Sequence, residues 1–429
     1  MQNYSSKPGT RLQSIHVALN PPGVSMSKLY SDYRNIQSTP PPEKTGLTSL
    51  PDYHQQPVPK LRPQSWSPSI YRILNFWLEY LHGHPETNSM AAVFDFDNTC
   101  TYRDVGKAVL QFQFDGLYFQ LPPEQFAGLF PDSQVHISGT PLKLIKNRIL
   151  LLYKKLWPFI KENQQQLVAH QPEHVEFRHL FLWYCVEARR HSELGPRYTL
   201  PLMARLLAGY TTDEVKDLTR QALSAALQEP IATDIRRITS CAPIGSIEVQ
   251  HATGLRVQCE IIDLMEQLKR CGIRCCIISA STEWVVEAAV KHLGFPITPD
   301  NIYGIRVQLE GGNRLSTNLP TGYPVTYREG KAKVIRELID ATPVIIAGDA
   351  VTDYEMLNLP DVPIRLIINH NKSGLISTLY NDPRFLLQGL NKQTGAFRPH
   401  RETLENHNNQ QESIGRQPPA KYALAVNEM

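Results

Sequence analysis

Short apolar runs separated by helical stretches constrain this chain more than any other feature. Ala91-Ala92-Val93-Phe94, Ile273-Arg274-Cys275-Cys276-Ile277-Ile278, Pro343-Val344-Ile345-Ile346-Ala347 and Ile364-Arg365-Leu366-Ile367-Ile368 are nearly continuous in apolar character and show no polar alternation. Such runs suit strands buried on both faces, as the strands of a parallel sheet are. Helical spacing fills the intervals between the later ones: Glu260 to Leu268 before Gly272, Thr282 to Leu293 before Gly294, and Lys331 to Ile339. Another helix over Tyr71–Leu81 precedes the first run. Strands alternating with helices predict an α/β fold with a doubly wound parallel sheet covered on both sides.

One interval breaks the alternation. Residues 104–254 offer helix starts instead, at Pro141, Pro172 and Pro201 and at Thr211-Thr212-Asp213-Glu214, which has the form of a capping box. A crossover needs only about 30 residues, so an interval of roughly 150 is expected to fold as a mainly helical unit over the sheet edge. The ends differ again. Residues 1–68 hold 11 of the 33 prolines, including Pro40-Pro41-Pro42, with no sustained apolar period, and the chain from about Phe397 is polar. Neither can bury enough apolar surface to offset its chain entropy. The expected organisation is a disordered Pro-rich leader over 1–66, a first core part over 67–103, the helical insertion over 104–254, a second core part over 255–395 and a disordered tail over 396–429.

Charge and cysteine usage remove several function classes. The net charge of +3 is carried by residues 1–66, which hold seven Lys or Arg against three acids, so a basic nucleic-acid-binding face is unsupported. No apolar run reaches the ~20 residues of a membrane helix, and the first residues lack the order of a signal peptide. Seven cysteines without a C-x-x-C pair disfavour a disulfide framework and a zinc site. A cytoplasmic location is expected.

The residues suited to chemistry stand at the edges of predicted elements. The first strand ends Asp95-Phe96-Asp97-Asn98-Thr99, and side chains two apart on a strand share a direction. At the carboxyl end of a parallel strand these two carboxylates would face the ligand crevice, where their repulsion calls for a hard cation with oxygen ligands. The second core strand ends at Ser279-Ala280-Ser281, placing hydroxyls and backbone N–H groups at a helix start, a position suited to phosphate. Taken singly, either serine would more simply be a helix cap. Lys331 follows Gly330 at the start of the next helix, and the third strand runs into Gly348-Asp349-Ala350-Val351-Thr352-Asp353. Each feature alone fits a solvated turn, but together and in this order they supply a phosphoryl-transfer site.

That ordered set resembles the haloacid dehalogenase-like superfamily, whose four motifs are D-x-D-x-[TV], a Ser or Thr after an apolar strand, a Lys, and G-D-x-x-x-D. The resemblance spans roughly residues 70–390, and the insertion looks like the family's C1 cap. It implies that Asp95 attacks phosphorus to form an aspartyl-phosphate, while Asp97 protonates the leaving oxygen and later activates water. It further implies that Ser279, Lys331 and Thr99 hold the phosphoryl group, and that Mg²⁺ is bound by the carboxylates of Asp95 and Asp349 and the backbone carbonyl of Asp97, with Asp353 supporting through water or a hydrogen bond. An acid at the position of Asp97 resembles phosphatases rather than dehalogenases or cation pumps of the superfamily. Within it, Ala92 to Thr99, Asp104 to Ala108, Leu207 to Thr211 and Ile278 to Val286 look most like the phosphoserine phosphatase-like branch and phosphorylcholine phosphatases. Ala280-Ser281 stand where phosphoserine phosphatases have two glycines.

The implied substrate is a small phosphate monoester, and a phosphocholine-like one would be gripped through its quaternary ammonium by aromatic faces. Trp157, Trp183, Tyr184 and Trp284 are the expected grip, against the plainer expectation that aromatics at helical spacing are core. His174 and His179, five apart, are expected as surface or internally satisfied residues. Two alternatives use the same fold: a catalytically silent binding module, recruiting a protein through the Pro-rich leader, and a phosphotransferase that resolves the same intermediate with an acceptor alcohol.

Overall fold

A computed structural model describes residues 57–84, 87–406 and 412–414. Helix α1 (Pro68–Leu81) opens with proline, whose missing N–H is harmless in a first turn, and buries Ile70, Leu74, Leu78 and Leu81 along one face. Strand β1 (Met90–Phe94) follows. Then come α2 (Val105–Asp115), α3 (Leu142–Lys161), α4 (Pro172–Arg190), α5 (Gly195–Arg205) and α6 (Thr212–Gln228). A hairpin of β2 (Ala232–Thr239) and β3 (Ser246–Thr253) closes the insertion. The core resumes with α7 (Cys259–Arg270), β4 (Arg274–Thr282), α8 (Glu283–Leu293), β5 (Ile302–Ile305), α9 (Glu329–Glu337), β6 (Thr342–Gly348), β7 (Ile364–Asn369) and β8 (Phe385–Gly389). Shorter turns and helices join them.

Six strands form one sheet in the order β8-β7-β6-β1-β4-β5, every neighbouring pair parallel. The fold is thus the expected α/β type. Successive residues of each strand feed opposite faces: Ala92, Phe94, Cys275, Ile277, Ala347 and Leu366 share one buried cluster, while Ala91, Val93, Cys276, Ile278, Ile346 and Ile367 share another. That period-2 division is why the runs read as continuously apolar. Strand order reverses beside β1, so the carboxyl ends of β1, β4, β6 and β7 gather at a topological switch point, the usual ligand position in such sheets.

The insertion departs from expectation in three ways. Pro201 starts no helix but lies inside α5, where its buried neighbours Leu200 and Leu202 favour helix despite the lost backbone bond. The hairpin was not anticipated, since only Ile247 and Val249 of β3 are buried and β2 is largely exposed. Nor is the insertion one separate unit. Its own cluster centres on Phe114, Phe126, Tyr153, Phe177 and Phe181, but α6 buries Val215, Leu218, Ala222 and Leu223 in the same cluster as Val285 and Val286 of α8. The capping box at α6 forms as expected: Glu214 N–H donates to Thr211 Oγ1 at 3.2 Å and Thr211 N–H to Glu214 Oε2 at 2.7 Å. Backbone bonds also tie the insertion to the core, with Gly209 N–H donating to Leu315 O and Leu315 N–H to Tyr210 O.

Both expected disordered ends reach further into the fold than composition indicates. Residues 1–56, 407–411 and 415–429 lie outside the described residues. Leu61 and Trp66, assigned above to the leader, are buried, and Phe397, assigned to the tail, meets Trp66 edge-on at 5.2 Å. Proline-rich polar sequence conceals these anchors because two isolated apolar residues make no period. Trp66→Ala is predicted to lower stability by about 3–5 kcal/mol in urea denaturation. A loss below about 1 kcal/mol would show that Trp66 is peripheral. Among the described residues, no helix is long and apolar enough to cross a membrane.

Candidate active site

Asp95 stands one residue beyond β1, where its N–H still donates to Ala347 O of β6 at 2.9 Å. The chain then turns through Asn98, which adopts a left-handed φ of 64°, a conformation asparagine tolerates better than most residues. His370, beyond β7, fastens this turn by donating from Nε2 to Asn98 O at 2.8 Å, and burial pushes its basicity well below the ordinary histidine value. Thr99, fully buried, donates to Asp95 Oδ2 at 3.1 Å. Its hydroxyl therefore orients Asp95 where phosphate contact was expected.

Asp97 is held from two sides. Val105 N–H at the start of α2 donates to Oδ1 at 2.6 Å, and the hydroxyls of Ser279 and Ser281 donate to Oδ2 at 3.1 and 2.6 Å. Neither serine acts as the simple helix cap of α8. Close approach of α2 to this point needs Gly106, where an added Cβ would lie 2.4 Å from Ser281 Oγ. Burial, with the nearby Asp104 charge, raises the Asp97 carboxyl to about 7, although the donors from Ser281, Val105 and Ser279 oppose the rise. A carboxyl so placed can give or take a proton near neutrality.

Lys331 is completely buried at the start of α9, with Nζ 2.5 Å from Asp95 Oδ1 and 2.6 Å from Asp353 Oδ1. Burial alone would lower its pKa, but the charges of Asp353 and Asp95 outweigh that and raise it, so it is an ammonium. The helix start is seated tightly, since a Cβ on Gly330 would meet Val325 O at 1.8 Å. Asp353 commits its other oxygen, Oδ2, to the N–H groups of Asp349 and Ala350 at 2.9 and 3.0 Å. It is both a turn fastener and the lysine's partner. Both of its oxygens carry hydrogen bonds, as do both oxygens of Asp95.

Asp349, at the end of β6, is buried and in close ionic contact with Lys372 Nζ. The sequence reading missed Lys372, Ser281's contact with Asp97 and His370; being at or just beyond strand ends was their only local signal. Carboxylate oxygens of Asp95, Asp349 and Asp353 lie within 4.8 Å of one another. Burial raises Asp95 and Asp349, and crowding by Asp353 adds to the rise at both, with Lys331 and Lys372 opposing it. A buried all-oxygen donor set that needs further positive charge fits a hard divalent cation such as Mg²⁺. Asp95 and Asp349 are the carboxylates expected to ligate it directly, with Asp353 beside them.

The aromatic grip does not assemble. Tyr184 is fully buried with its hydroxyl 2.8 Å from Tyr198 Oη, Trp157 packs on the insertion's core, and Trp284 belongs to the sheet's core. Trp183 alone of the four reaches a cavity of about 760 Å³ beside the β1 turn, lined also by Asn98, Arg103, Asp104, Lys107 and Glu187. Aromatic side chains at helical spacing bury one another here, as Tyr153 and Phe126 do at 4.0 Å between rings. His174 and His179 are internally satisfied, through Ala169 O and Phe114 O for the first and Val175 O for the second.

Residues 174–358 match the haloacid dehalogenase-like hydrolase family. That stretch contains Ser279, Lys331, Asp349 and Asp353, while Asp95 and Asp97 precede it. No curated protein matches the chain. Among solved structures, a conserved protein of unknown function from Anaerococcus prevotii aligns at 26% identity with a TM-score of 0.70, over 81% of this chain and 99% of its own. A protein of unknown function from Bordetella pertussis aligns at 13% identity over 68% of this chain and 93% of its own, TM-score 0.38. A phosphoserine phosphohydrolase-like protein from Francisella tularensis does so at 14% over 65% and 87%, TM-score 0.32. Scores that low share too little backbone path to bear on this fold.

Proposed function

We propose that this chain, which carries a haloacid dehalogenase-like hydrolase domain, hydrolyses a small organic phosphate monoester through a covalent phosphate on Asp95. The observation that carries the reading is the pairing of two differently held carboxylates at one strand end. Asp95 is oriented by Thr99 and Lys331, whereas Asp97 sits among donors with a proton affinity near neutrality.

An Asp95 oxygen attacks phosphorus, the bond from phosphorus to the ester oxygen breaks, and that oxygen leaves with the Asp97 proton. Asp97, now a carboxylate, then takes a proton from the water that attacks phosphorus, releasing inorganic phosphate and restoring Asp95. Lys331 balances the charge on Asp95 throughout. Ser279 and Ser281 keep the Asp97 carboxyl pointed at the leaving oxygen. Mg²⁺ held by Asp95, Asp349 and the Asp97 carbonyl would supply further charge neutralisation to the phosphoryl oxygens. The organic part of the ester is assigned to the cavity beside Trp183. A choline-type head group loses support, because one tryptophan makes no cage.

The test is a panel of phosphate monoesters assayed for released phosphate with Mg²⁺, with Ca²⁺ and in excess EDTA. Release with Mg²⁺, little with Ca²⁺ and none in EDTA is expected, since the looser shell of Ca²⁺ misplaces the attacking group. Full activity in EDTA, or no release from any ester with Mg²⁺, would contradict the reading.

A further inference from the structure

The two lysines of the site differ in how they are held. Lys331 has a fully buried side chain and is shared by Asp95 and Asp353. Lys372 has a side chain 37% exposed and reaches in from the loop after β7 to Asp349. Its backbone is rooted: Lys372 N–H donates to Tyr380 Oη at 3.2 Å, and the preceding Asn371 donates its N–H to Asn369 Oδ1 at 2.9 Å and its Nδ2 to Glu405 Oε1 at 3.1 Å. What can move is a flexible four-carbon stem ending in a compact, strongly hydrated charge.

Asp349 has reason to keep such a partner. A buried carboxylate without a counter-charge is strongly unfavourable, and Lys331 is committed to its two neighbours. A divalent cation placed among the same oxygens would neutralise Asp349 and repel the ammonium, whose route to solvent is short. We propose that Lys372 is a displaceable internal counter-ion, holding Asp349 when no divalent cation is bound and withdrawing to solvent when one binds, and so setting the site's affinity for that cation. The inference rests on the reading above only in taking Asp95 and Asp349 as ligands of a divalent cation. Lys372 is a positioning residue here, acting through Asp349. Cation binding is weakened by the work of displacing it, and the apo site is spared an unpaired buried charge.

The experiment measures binding rather than turnover. Metal-stripped protein is titrated calorimetrically with MgCl₂ in the unaltered chain, in Lys372→Met and in Lys372→Arg. Lys372→Met should bind Mg²⁺ roughly tenfold more tightly, and Lys372→Arg, which keeps the charge, should stay within about threefold of the unaltered chain. Without metal, Lys372→Met should melt lower than the unaltered chain, and saturating Mg²⁺ should close that gap. A companion measurement needs no substitution. Acetylation of Lys372 by acetic anhydride, read by mass spectrometry against exposed Lys154, should speed up several-fold on adding Mg²⁺. Equal or weaker Mg²⁺ binding by Lys372→Met, or an unchanged acetylation rate, overturns the proposal and leaves the cation site standing. Absence of Mg²⁺ binding in every form overturns both, and the ester panel reports separately on the phosphatase reading.

Discussion

Replacing Asp95 with Asn should remove phosphate release by several orders of magnitude while leaving the fold intact. The amide is nearly isosteric: its oxygen can still face Lys331, and its NH₂ can donate to Thr99, whose hydroxyl accepts as readily as it donates. What it lacks is the nucleophilic oxygen. Among the other acids, Asp353 is tied to Lys331 and the turn, and Asp97 is directed at its serine donors. The measurement is kcat on the best ester of the panel, with circular dichroism and a melting curve as controls. Substantial turnover in a folded, homogeneous Asp95→Asn sample would end the covalent mechanism.

Lys331→Met is expected to damage stability as well as activity, which distinguishes it from Asp95→Asn. The lysine is the single cation bridging two buried acids among the described residues, and removing one partner from such a group typically costs about 3–5 kcal/mol. The loss arises from carboxylates left without a counter-charge more than from the missing contact itself. Urea denaturation of metal-free protein reads it directly. Saturating Mg²⁺ should restore part of the stability, by neutralising Asp95 and Asp349, and none of the turnover, since Asp95 would remain misplaced. A Lys331→Met protein as stable as the unaltered chain would mean that Asp95 and Asp353 are not both ionised in the fold.

The sheet and the candidate residues gathered at its edge were legible because their signals are local. A strand buried on both faces must be apolar along its length, as β1, β4, β6 and β7 are, and reactive groups in such a sheet sit where the strands end. Asp95, Asp97, Ser279, Lys331, Asp349 and Asp353 could therefore be picked out one strand or helix end at a time. The order of those ends along the chain, more than any one of them, is what the proposal of phosphoryl transfer was built on.

What tertiary structure decided was the partner of each group. Thr99 and Ser279 hold carboxylates, Asp353 has both oxygens committed within the protein, and Lys372 reaches a carboxylate 23 positions away in the chain. The cavity took its walls from a hairpin with few buried residues, and the aromatics expected around a ligand packed on one another instead. Periodicity records only whether a residue faces an apolar or a polar side, so it cannot distinguish an aromatic that lines a ligand from one that fills a core. Nor can it show that Trp66 and Phe397 meet, because the apolar surface each buries is supplied by sequence more than 300 residues away. Local spacing determined the strands and their reactive ends; long-range packing determined which side chain each of those groups would face.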